Sequence, residues 1–294
     1  MNKKLSIGSR IVVYGILILI CLICIIPIIT VVSISFSKDI TIIKEGYGIL
    51  PKDFTLDAYK YALKDIEAIL RSYGVSIFVT VTGCVFGLAF NSMIAYVLSR
   101  KDYRYSKQLT VFLIIPMVLN GGLVPTYIWI SKYLHLKNTI WVMILPMLIV
   151  PWFIILLRTF FSQIPSSLIE AATVDGAGEL TIFVKIVLPL AKPALATVGM
   201  FIVLNYWNDW FLPLMYIDNS ELYNLQYRLY MMMRDVQEMI KNSAASGMGI
   251  GIADLPTESM RMAMCVIAAG PMLMIFPFFQ KYFVKGLTVG GVKG

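Results

Sequence analysis

Six long runs of apolar residues, separated by shorter polar stretches, organise this chain. A run of about 20 apolar residues crosses the hydrocarbon core of a bilayer as a helix, because a helix satisfies every backbone polar group within the segment. Most of the runs hold few or no charges, and the fifth is the exception because it contains Asp209. The pattern predicts an all-α membrane protein with six transmembrane helices, at residues 11–36, 71–98, 108–130, 139–161, 191–216 and 259–280.

Lysine and arginine are denser at one set of span ends than at the other. That set carries 13 cations and four acidic residues, whereas the longer loops of the opposite side carry 12 cations and 13 acidic residues. Cations concentrate in the cytoplasmic loops of membrane proteins, so we expect both termini to lie in the cytoplasm. In this topology residues 1–10 form a cytoplasmic N-terminus and residues 11–294 form one membrane domain. Within that domain, residues 162–190 form a cytoplasmic loop and residues 281–294 a cytoplasmic tail.

Two longer segments, residues 37–70 and 217–258, fall on the extracellular side in this topology. The first contains KDFTLDAYKYAL, which predicts a short helix on the membrane surface. In the second, apolar residues from Leu222 to Ile240 recur at three- and four-residue steps, which indicates an amphipathic helix. The apolar face of that helix would be covered either by the outer surface of the same protein or by a separate partner, and we expect the former.

The composition agrees with a position in a bilayer. Hydrophobic residues make up 59% of the chain and charged residues 14%, against about 45–50% and 25% in soluble proteins, and the mean hydropathy is +0.79. The net charge is +8, but the cations lie between apolar runs, which favours contact with anionic lipid headgroups over nucleic acid. The four cysteines lie in apolar runs, which is typical of small buried hydrophobic residues, and a single histidine excludes a histidine-based metal site.

The sequence contains no recognisable catalytic set. The nearest match to a phosphate-binding loop is the ending GLTVGGVKG, in which Val292 stands where such a loop needs lysine. A nucleophile elbow, a metalloprotease helix and a carboxylate pair spaced for acid–base work are also absent from the sequence. We therefore expect a protein that is not an enzyme and binds no cofactor itself, and that draws any energy it needs from another subunit or an ion gradient.

The most informative stretch is IPSSLIEAATVDGAG, which begins at residue 164 between the fourth and fifth runs. It predicts a short helix, since Pro165 suits a first helical turn, Ser167 and Glu170 fit a capping box, and Gly176 fits a C-terminal cap. The apolar side chains of this helix would face the cytosol, which favours docking in a groove of a partner. On spacing alone, a role of Glu170 limited to capping its own helix is equally open.

At this stretch the sequence resembles the permease subunits of binding-protein-dependent ABC importers. The resemblance extends from about residue 70 to the end of the chain. The segments NYWNDWFLPLMYI and QKYFVKGLTVGGVKG are similar to the carbohydrate-uptake branch of that family, and NGGLVPTYIW and LYNLQYRL to its complex-oligosaccharide subgroup. The residues that match the EAA loop of these permeases, at its spacing, are Glu170, Ala171, Ala172, Gly176, Ile186, Leu188 and Pro189.

This resemblance implies a type I ABC importer permease fold and a multi-pass position in the bacterial cell membrane. The helix at 165–178 would sit in a cleft of a cytoplasmic ATPase, so that ATP binding opens the pore outward and hydrolysis reverses the change. The implied partners are a second homologous permease, which we expect to form a heterodimer with this chain, two ATPase subunits that hold ATP and Mg²⁺, and an extracellular solute-binding protein. The residues implied in coupling are Glu170, Ala171, Ala172, Asp175, Gly176, Leu188 and Pro189.

Polar side chains interrupt the fifth run beside aromatic ones. Polar groups within a bilayer usually face a cavity or another helix, and sugars offer hydroxyl groups to amides and flat ring faces to aromatic side chains. Steps of three and four residues predict that Asn205, Asn208 and Asp209 share one helix face. Amides that tie helices together are the alternative. Candidates for lining a sugar passage are Asn205, Tyr206, Asn208, Asp209 and Trp210, with Asn91, Asn120 and Tyr127 as further candidates.

Gly83 and Gly87 form a GxxxG pair in the second run. Small residues at this spacing let two helices approach closely. We therefore expect the pair to pack against another helix rather than to bind a substrate.

Three other functions remain to be separated from an ABC importer of oligosaccharide. An ion-coupled secondary transporter would need ionisable residues within the membrane, and Asp209 is the one good candidate. An ABC permease for amino acids or peptides would keep the fold but change the cargo. The amides and aromatic residues of the fifth run argue against that cargo. A membrane enzyme would need the catalytic set that the sequence lacks.

Overall fold

The computed structural model describes residues 7–119, 121–245 and 257–290. In these ranges the chain is helical, as predicted, and an isolated antiparallel bridge joins Ser37 to Phe54. The α-helices are α1 Ile7–Ser35, α2 Asp39–Glu45, α3 Asp57–Ala62, α4 Ile66–Ser99, α5 Ser106–Val118, α6 Leu123–Ile128, α7 Pro151–Phe161, α8 Ser166–Val174, α9 Glu179–Ile182, α10 Leu188–Leu190, α11 Lys192–Trp207, α12 Phe211–Tyr216, α13 Leu225–Ala245 and α14 Glu258–Gly290. The 3₁₀ helices are Ile140–Met143, Leu145–Met147 and Ser220–Leu222, and the π-helical turns are Trp129–Tyr133 and Phe183–Val187.

Three helices are each long and apolar enough to cross a membrane, and they coincide with the first, second and sixth predicted spans. They are Gly8–Ser35 in α1, the whole of α4, and Glu258–Pro277 in α14, which continues as a helix past the predicted end at residue 280. The other three predicted spans correspond to pairs of helices that are bent at a short break. The described residues therefore contain three to six crossing segments, and the count of six stays a prediction.

The fifth segment differs most from the helix expected at residues 191–216. Its two helical parts are Glu179–Leu190 and Lys192–Trp207, with a bend of 84° between them. Ala191 leaves the helical conformation at the bend, with φ −92° and ψ 11°. Pro193 is the physical reason. A proline has no N–H to donate to the preceding helical turn, and its ring restricts the backbone of the residue before it.

Contacts divide the chain into two compact units, Met1–Ile66 with Leu229–Pro271 and Glu67–Arg228 with Met272–Gly294. In the first unit, α1 leaves most of its apolar side chains exposed. The part of α13 that belongs to this unit buries Leu229 and Val236. This burial agrees with the predicted amphipathic helix, whose apolar face is covered by the protein itself.

A buried carboxylate, that of Asp39 at the start of α2, anchors the first turn of α14 in the first unit. It accepts hydrogen bonds from the N–H of Thr257, the Thr257 hydroxyl at 3.0 Å, and the N–H groups of Glu258 and Ser259 at 3.0 and 2.8 Å. The first N–H groups of a helix have no partner within it, so this carboxylate supplies one. Burial raises the pKa of Asp39, but the hydrogen bonds from Ser259, Thr257 and Glu258 outweigh burial and lower the pKa below its usual value.

The second unit is built around a buried core to which α4, α7 and α11 contribute. Within this core the Tyr206 hydroxyl donates a hydrogen bond to the carbonyl oxygen of Ile144 at 2.8 Å. The Tyr206 ring lies so close to α4 that a Cβ atom on Gly83 would stand 2.4 Å from it, and a Cβ atom on Gly87 would stand 3.4 Å from the carbonyl oxygen of Leu148. The predicted role of this GxxxG pair in helix packing is confirmed.

We expect Gly83→Ala to lower the free energy of unfolding by about 1–3 kcal/mol, the usual cost of an overpacked core. The buried Tyr206 ring has to move to admit the new methyl group, and its hydrogen bond to Ile144 resists that movement. Thermal unfolding of the detergent-solubilised protein measures the effect. The matched control is Gly74→Ala in the same helix, where a Cβ atom meets nothing within 4 Å; equal stability of the two variants would contradict the packing role.

Candidate functional site

Helix α8 is a short, surface-exposed helix with no buried residue. It begins after Pro165, which occupies the N-cap position with φ −56° and ψ 127°, and no side chain caps this end. The predicted capping box of Ser167 and Glu170 is therefore wrong, because Pro165 sets the helix start two residues earlier than the box requires. Glu170 is not used in capping its own helix.

The C-terminal end of α8 is capped at Gly176. This glycine has φ +78°, a left-handed conformation that glycine adopts without steric cost. The N–H of Gly176 donates to the carbonyl oxygen of Thr173 at 3.0 Å, and the N–H of Ala177 donates to that of Ala172 at 2.9 Å. These two hydrogen bonds form a Schellman motif, so the predicted C-terminal cap at Gly176 is confirmed and the chain turns sharply there.

Two faces of α8 differ in their surroundings. Ile169 and Ala172 are half-buried and pack against the core of the second unit. Glu170 is exposed, and the apolar side chains of Leu168 and Val174 are 45% and 87% exposed. The helix is thus held to its own chain through Ile169 and Ala172, and the rest of its surface leaves Leu168, Glu170 and Val174 accessible.

The remaining residues of the predicted coupling set do not all belong to this surface. Ala171 and Asp175 are exposed on α8 and at its C-terminal end. Leu188 and Pro189 begin a different element, α10, where Leu188 packs against the core and Pro189 is exposed.

A cavity of about 630 Å³ lies beside α8. Arg100 and Lys101, just after the end of α4, line it together with Glu170 and Thr173 of α8. The exposed Glu170 carboxylate therefore borders the same open cavity as these two cations and Asp102.

A network of four side chains joins the end of α4 to the start of α9. Arg100 donates hydrogen bonds of 3.0 Å to the carboxylates of Asp102 and Glu179, and the Tyr96 hydroxyl donates one of 2.5 Å to Glu179. Charge-assisted hydrogen bonds of this kind are the stronger ones in proteins. Sequence reasoning missed this network, because Arg100 and Glu179 are 79 residues apart and no periodic pattern links them.

The candidate passage residues do not share one helix face, because α11 ends at Trp207. Asn205 and Asn208 are exposed, and Trp210 is 43% exposed. Tyr206 is buried in the core, with 2% exposure. The structure therefore leaves two amides and one indole accessible and assigns the tyrosine to packing.

Asp209 lies at the break that follows α11. Its Oδ1 atom accepts hydrogen bonds from the N–H groups of Phe211 and Leu212 at 3.1 and 3.2 Å, which satisfies the first turn of α12. Its carbonyl oxygen accepts one from the Asn224 side chain at 2.5 Å. Asp209 thus shapes the break, and Asn208 beside it donates to the carbonyl oxygen of Leu204 at 3.0 Å.

Asn91 is fully buried, with 0% exposure. Its Nδ2 atom donates to the carbonyl oxygens of Gly87 and Leu148 at 2.6 and 2.8 Å, and its Oδ1 atom accepts from the N–H of Val150 at 3.0 Å. The last two contacts satisfy backbone groups at the 46° bend between Ile140–Met147 and α7. Asn91 therefore ties two segments together.

Of the two other candidates, Tyr127 is half-buried and stacks on Tyr216, with ring centroids 5.4 Å apart. Asn120 lies outside the described residues. Across the part of the chain that is described, no group of three or more His, Cys, Asp or Glu side chains could hold a metal ion.

Comparison with known proteins gives relatives along nearly the whole chain. A family model described as "Binding-protein-dependent transport system inner membrane component" matches residues 77–289. Protein LplC of Bacillus subtilis is 40% identical over 260 residues, which cover 88% of this chain and 86% of that protein. The polygalacturonan/rhamnogalacturonan transport system permease protein YtcP of Bacillus subtilis is 36% identical over 286 residues, which cover 96% and 97%.

A solved structure has the same fold. Its title is "Crystal structure of a bacterial ABC transporter involved in the import of the acidic polysaccharide alginate", and the matched chain is 29% identical with a TM-score of 0.77, over 96% of this chain and 100% of that one. The permeases of such transporters are non-catalytic components of the membrane. This chain therefore belongs to the family of binding-protein-dependent transport system inner membrane components.

Proposed function

We propose that this chain is a permease subunit of an ATP-driven importer that carries a carbohydrate, of the oligosaccharide class, into the cytoplasm. The names of its relatives support this cargo, since they include a polygalacturonan/rhamnogalacturonan permease and, at 29% identity, the arabinooligosaccharides permease AraQ of Halalkalibacterium halodurans. The cycle is alternating access, in which a separate ATPase supplies the energy. The partners are a second homologous permease, two ATPase subunits and an extracellular solute-binding protein.

The single observation that carries this proposal is the surface of α8. A nine-residue helix with no buried residue, bearing exposed Leu168, Glu170 and Val174, is suited to a groove on another protein. In our proposal that groove belongs to the ATPase, and Glu170 accepts a charge-assisted hydrogen bond from it.

Motion of α8 would reach the membrane through its fixed face. Ile169 and Ala172 pack against the core, and the hydrogen bonds between Arg100 and Glu179 hold the end of α4 to the segment that follows α8. A packed core transmits displacement as a body rather than absorbing it. A pull on α8 would therefore move the neighbouring ends of α4 and α11 together.

We propose six crossings with both termini in the cytoplasm, in the bacterial cell membrane, with each bent pair counted as one span. The spacing of cations along the sequence supports this orientation. It puts α8 and the cations after α4 on the cytoplasmic side, where an ATPase can reach them. It also puts α3 and most of α13 outside, where a solute-binding protein can contact them.

We expect Asn208→Ala to lower sugar uptake several-fold while assembly and thermal stability stay unchanged. The Asn208 amide is exposed next to Trp210, and its hydrogen bonds in the protein are to the Leu204 carbonyl oxygen and a weak one of 3.5 Å from Gln226. Uptake by proteoliposomes that contain the whole transporter, measured against sugar concentration, gives the effect. The control is Gln108→Ala, an exposed amide at the opposite end of the membrane domain; a complex that falls apart with Asn208→Ala would assign the amide to packing instead.

Reconstitution tests the proposed function as a whole. Proteoliposomes that contain this chain, its second permease and the ATPase pair should accumulate oligosaccharide only when ATP and the solute-binding protein are supplied. Dissipating the ion gradients with ionophores should leave that uptake intact. Uptake by this chain alone, driven by an ion gradient without ATP, would overturn the proposal in favour of a secondary transporter.

A further inference from the structure

A pocket of about 450 Å³ near the ends of α4 and α7 and the start of α5 is lined by five cations. They are Arg100, Lys101, Arg104, Lys107 and Arg158, and among the described residues that line the pocket none is acidic. Like charges gathered in one concavity repel one another, so the arrangement favours the entry of an anion.

The cations of this pocket fall into two groups: two have hydrogen-bond or ion-pair partners, and three have no ion pair within the described ranges. Arg158 is fixed in the wall, where it donates hydrogen bonds to the carbonyl oxygen of Leu98 at 3.0 Å and the hydroxyl of Thr110 at 2.9 Å. The positive charge of Arg100 is offset by its ion pairs with Asp102 and Glu179. The side chains of Lys101, Arg104 and Lys107 are exposed, and within the described ranges no ion pair neutralises them.

An apolar groove of about 300 Å³ adjoins the pocket between α4 and α5. Leu98 lines both cavities, and the groove has no polar surface. Along α5, Lys107 and Thr110 line the basic pocket, whereas Leu109 and Phe112 line the groove. The protein thus presents a cationic concavity that is continuous with an apolar slot at the level where a membrane helix ends.

We propose that the pocket and groove together bind one anionic phospholipid of the cytoplasmic leaflet. Its phosphate lies among Lys101, Arg104 and Lys107, and part of one acyl chain lies in the groove beside Phe112. Basic pockets between membrane helices on the cytoplasmic side have this preference. A zwitterionic lipid brings an ammonium group that the same cations repel, and a free phosphate leaves the groove unused.

This inference goes beyond the transport function and does not depend on the cargo. Arg100 and Lys101 line both the lipid pocket and the cavity beside α8. A bound lipid would therefore order the turn after α4 at the border of the coupling helix.

Native mass spectrometry of the delipidated whole transporter tests the lipid site, with dioleoyl phosphatidylglycerol and dioleoyl phosphatidylcholine added in turn. The wild-type complex should retain phosphatidylglycerol in preference to phosphatidylcholine. In the double variant R104Q/K107Q that preference should fall about 10- to 30-fold, since each cation near a headgroup contributes about 1 kcal/mol. The charge-matched control K44Q/K64Q changes two exposed lysines far along the chain from the pocket and should keep the preference.

Two further measurements identify the ligand without relying on a variant. Inorganic phosphate and dihexanoyl phosphatidylglycerol should compete poorly, because neither fills the groove; competition by phosphate at the concentration of the long-chain lipid would overturn the proposal in favour of a soluble anion. Equal retention of both lipids by the wild type would also overturn it. So would absence of lipid from the assembled complex, which would mean that the second permease covers the groove.

Discussion

Replacing Glu170 with alanine should reduce ATP-driven uptake about tenfold or more while the chain still inserts and assembles. Within the described residues Glu170 has no hydrogen bond or ion pair, and its side chain is exposed, so its loss should change the stability of the fold by about 0.5 kcal/mol or less. Loss of a charge-assisted hydrogen bond to the ATPase would cost about 1.5–3 kcal/mol of coupling. Uptake by proteoliposomes and sugar-stimulated ATP hydrolysis, measured on the same preparation, give the two readouts.

Glu238→Ala is the matched control for this prediction. Glu238 is an exposed acidic residue on α13, paired with Arg234 at 3.3 Å across one helical turn, and exposed pairs of this kind contribute little. It lies on the extracellular side in the proposed topology, so its loss should leave coupling intact. Normal uptake by Glu170→Ala would remove Glu170 from the coupling contact and return α8 to a surface element without a partner.

Asn91→Leu should lower the free energy of unfolding by about 2–6 kcal/mol, the largest stability effect that we expect. The change leaves the carbonyl oxygen of Leu148 and the N–H of Val150 without the partners that now bind them at 2.8 and 3.0 Å. Each backbone group left unsatisfied away from water costs about 1–3 kcal/mol, and the Asn91 side chain that now covers both groups has 0% exposure. The loss should appear as a lower thermal unfolding temperature of the solubilised complex.

The neighbouring change Ser92→Ala controls for burial and helix position. Ser92 is also buried, but its hydroxyl donates only to the carbonyl oxygen of Ala89 within the same helix at 2.9 Å. Its removal should cost about 1 kcal/mol or less. If Asn91→Leu kept wild-type stability but lost sugar uptake, Asn91 would line the passage after all and would not serve to tie helices.

The helices themselves could be predicted from the sequence because their signals are local. Runs of apolar residues gave the positions of α1, α4 and most of α14, and Gly176 marked the end of α8 through its conformational freedom. The GxxxG pair in α4 likewise has a local meaning that the Tyr206 contact bears out.

Two of the breaks, the one before α7 and the one after α11, could not be predicted, because contacts between residues distant in sequence help to decide where they fall. The bend before α7 is held by Asn91, which is 59 residues away from Val150 in sequence. The end of α11 at Trp207 depends on Asp209 and Asn224, which bind backbone groups in the following turn. Helical spacing alone extended the fifth helix through these residues and so put Asn205, Asn208 and Asp209 on one face.

The length of helix α4 can be compared with the thickness of a bilayer. The 29 residue steps from Arg71, which pairs with Glu221 at 2.9 Å, to Arg100 correspond to about 43 Å of helix. A bilayer with its headgroups is about 40–45 Å thick, so in the proposed topology we expect one cation near each surface. In a thinner bilayer we expect α4 to tilt, and because Arg100 borders the cavity beside α8, lipid chain length should then change the geometry of the proposed coupling loop.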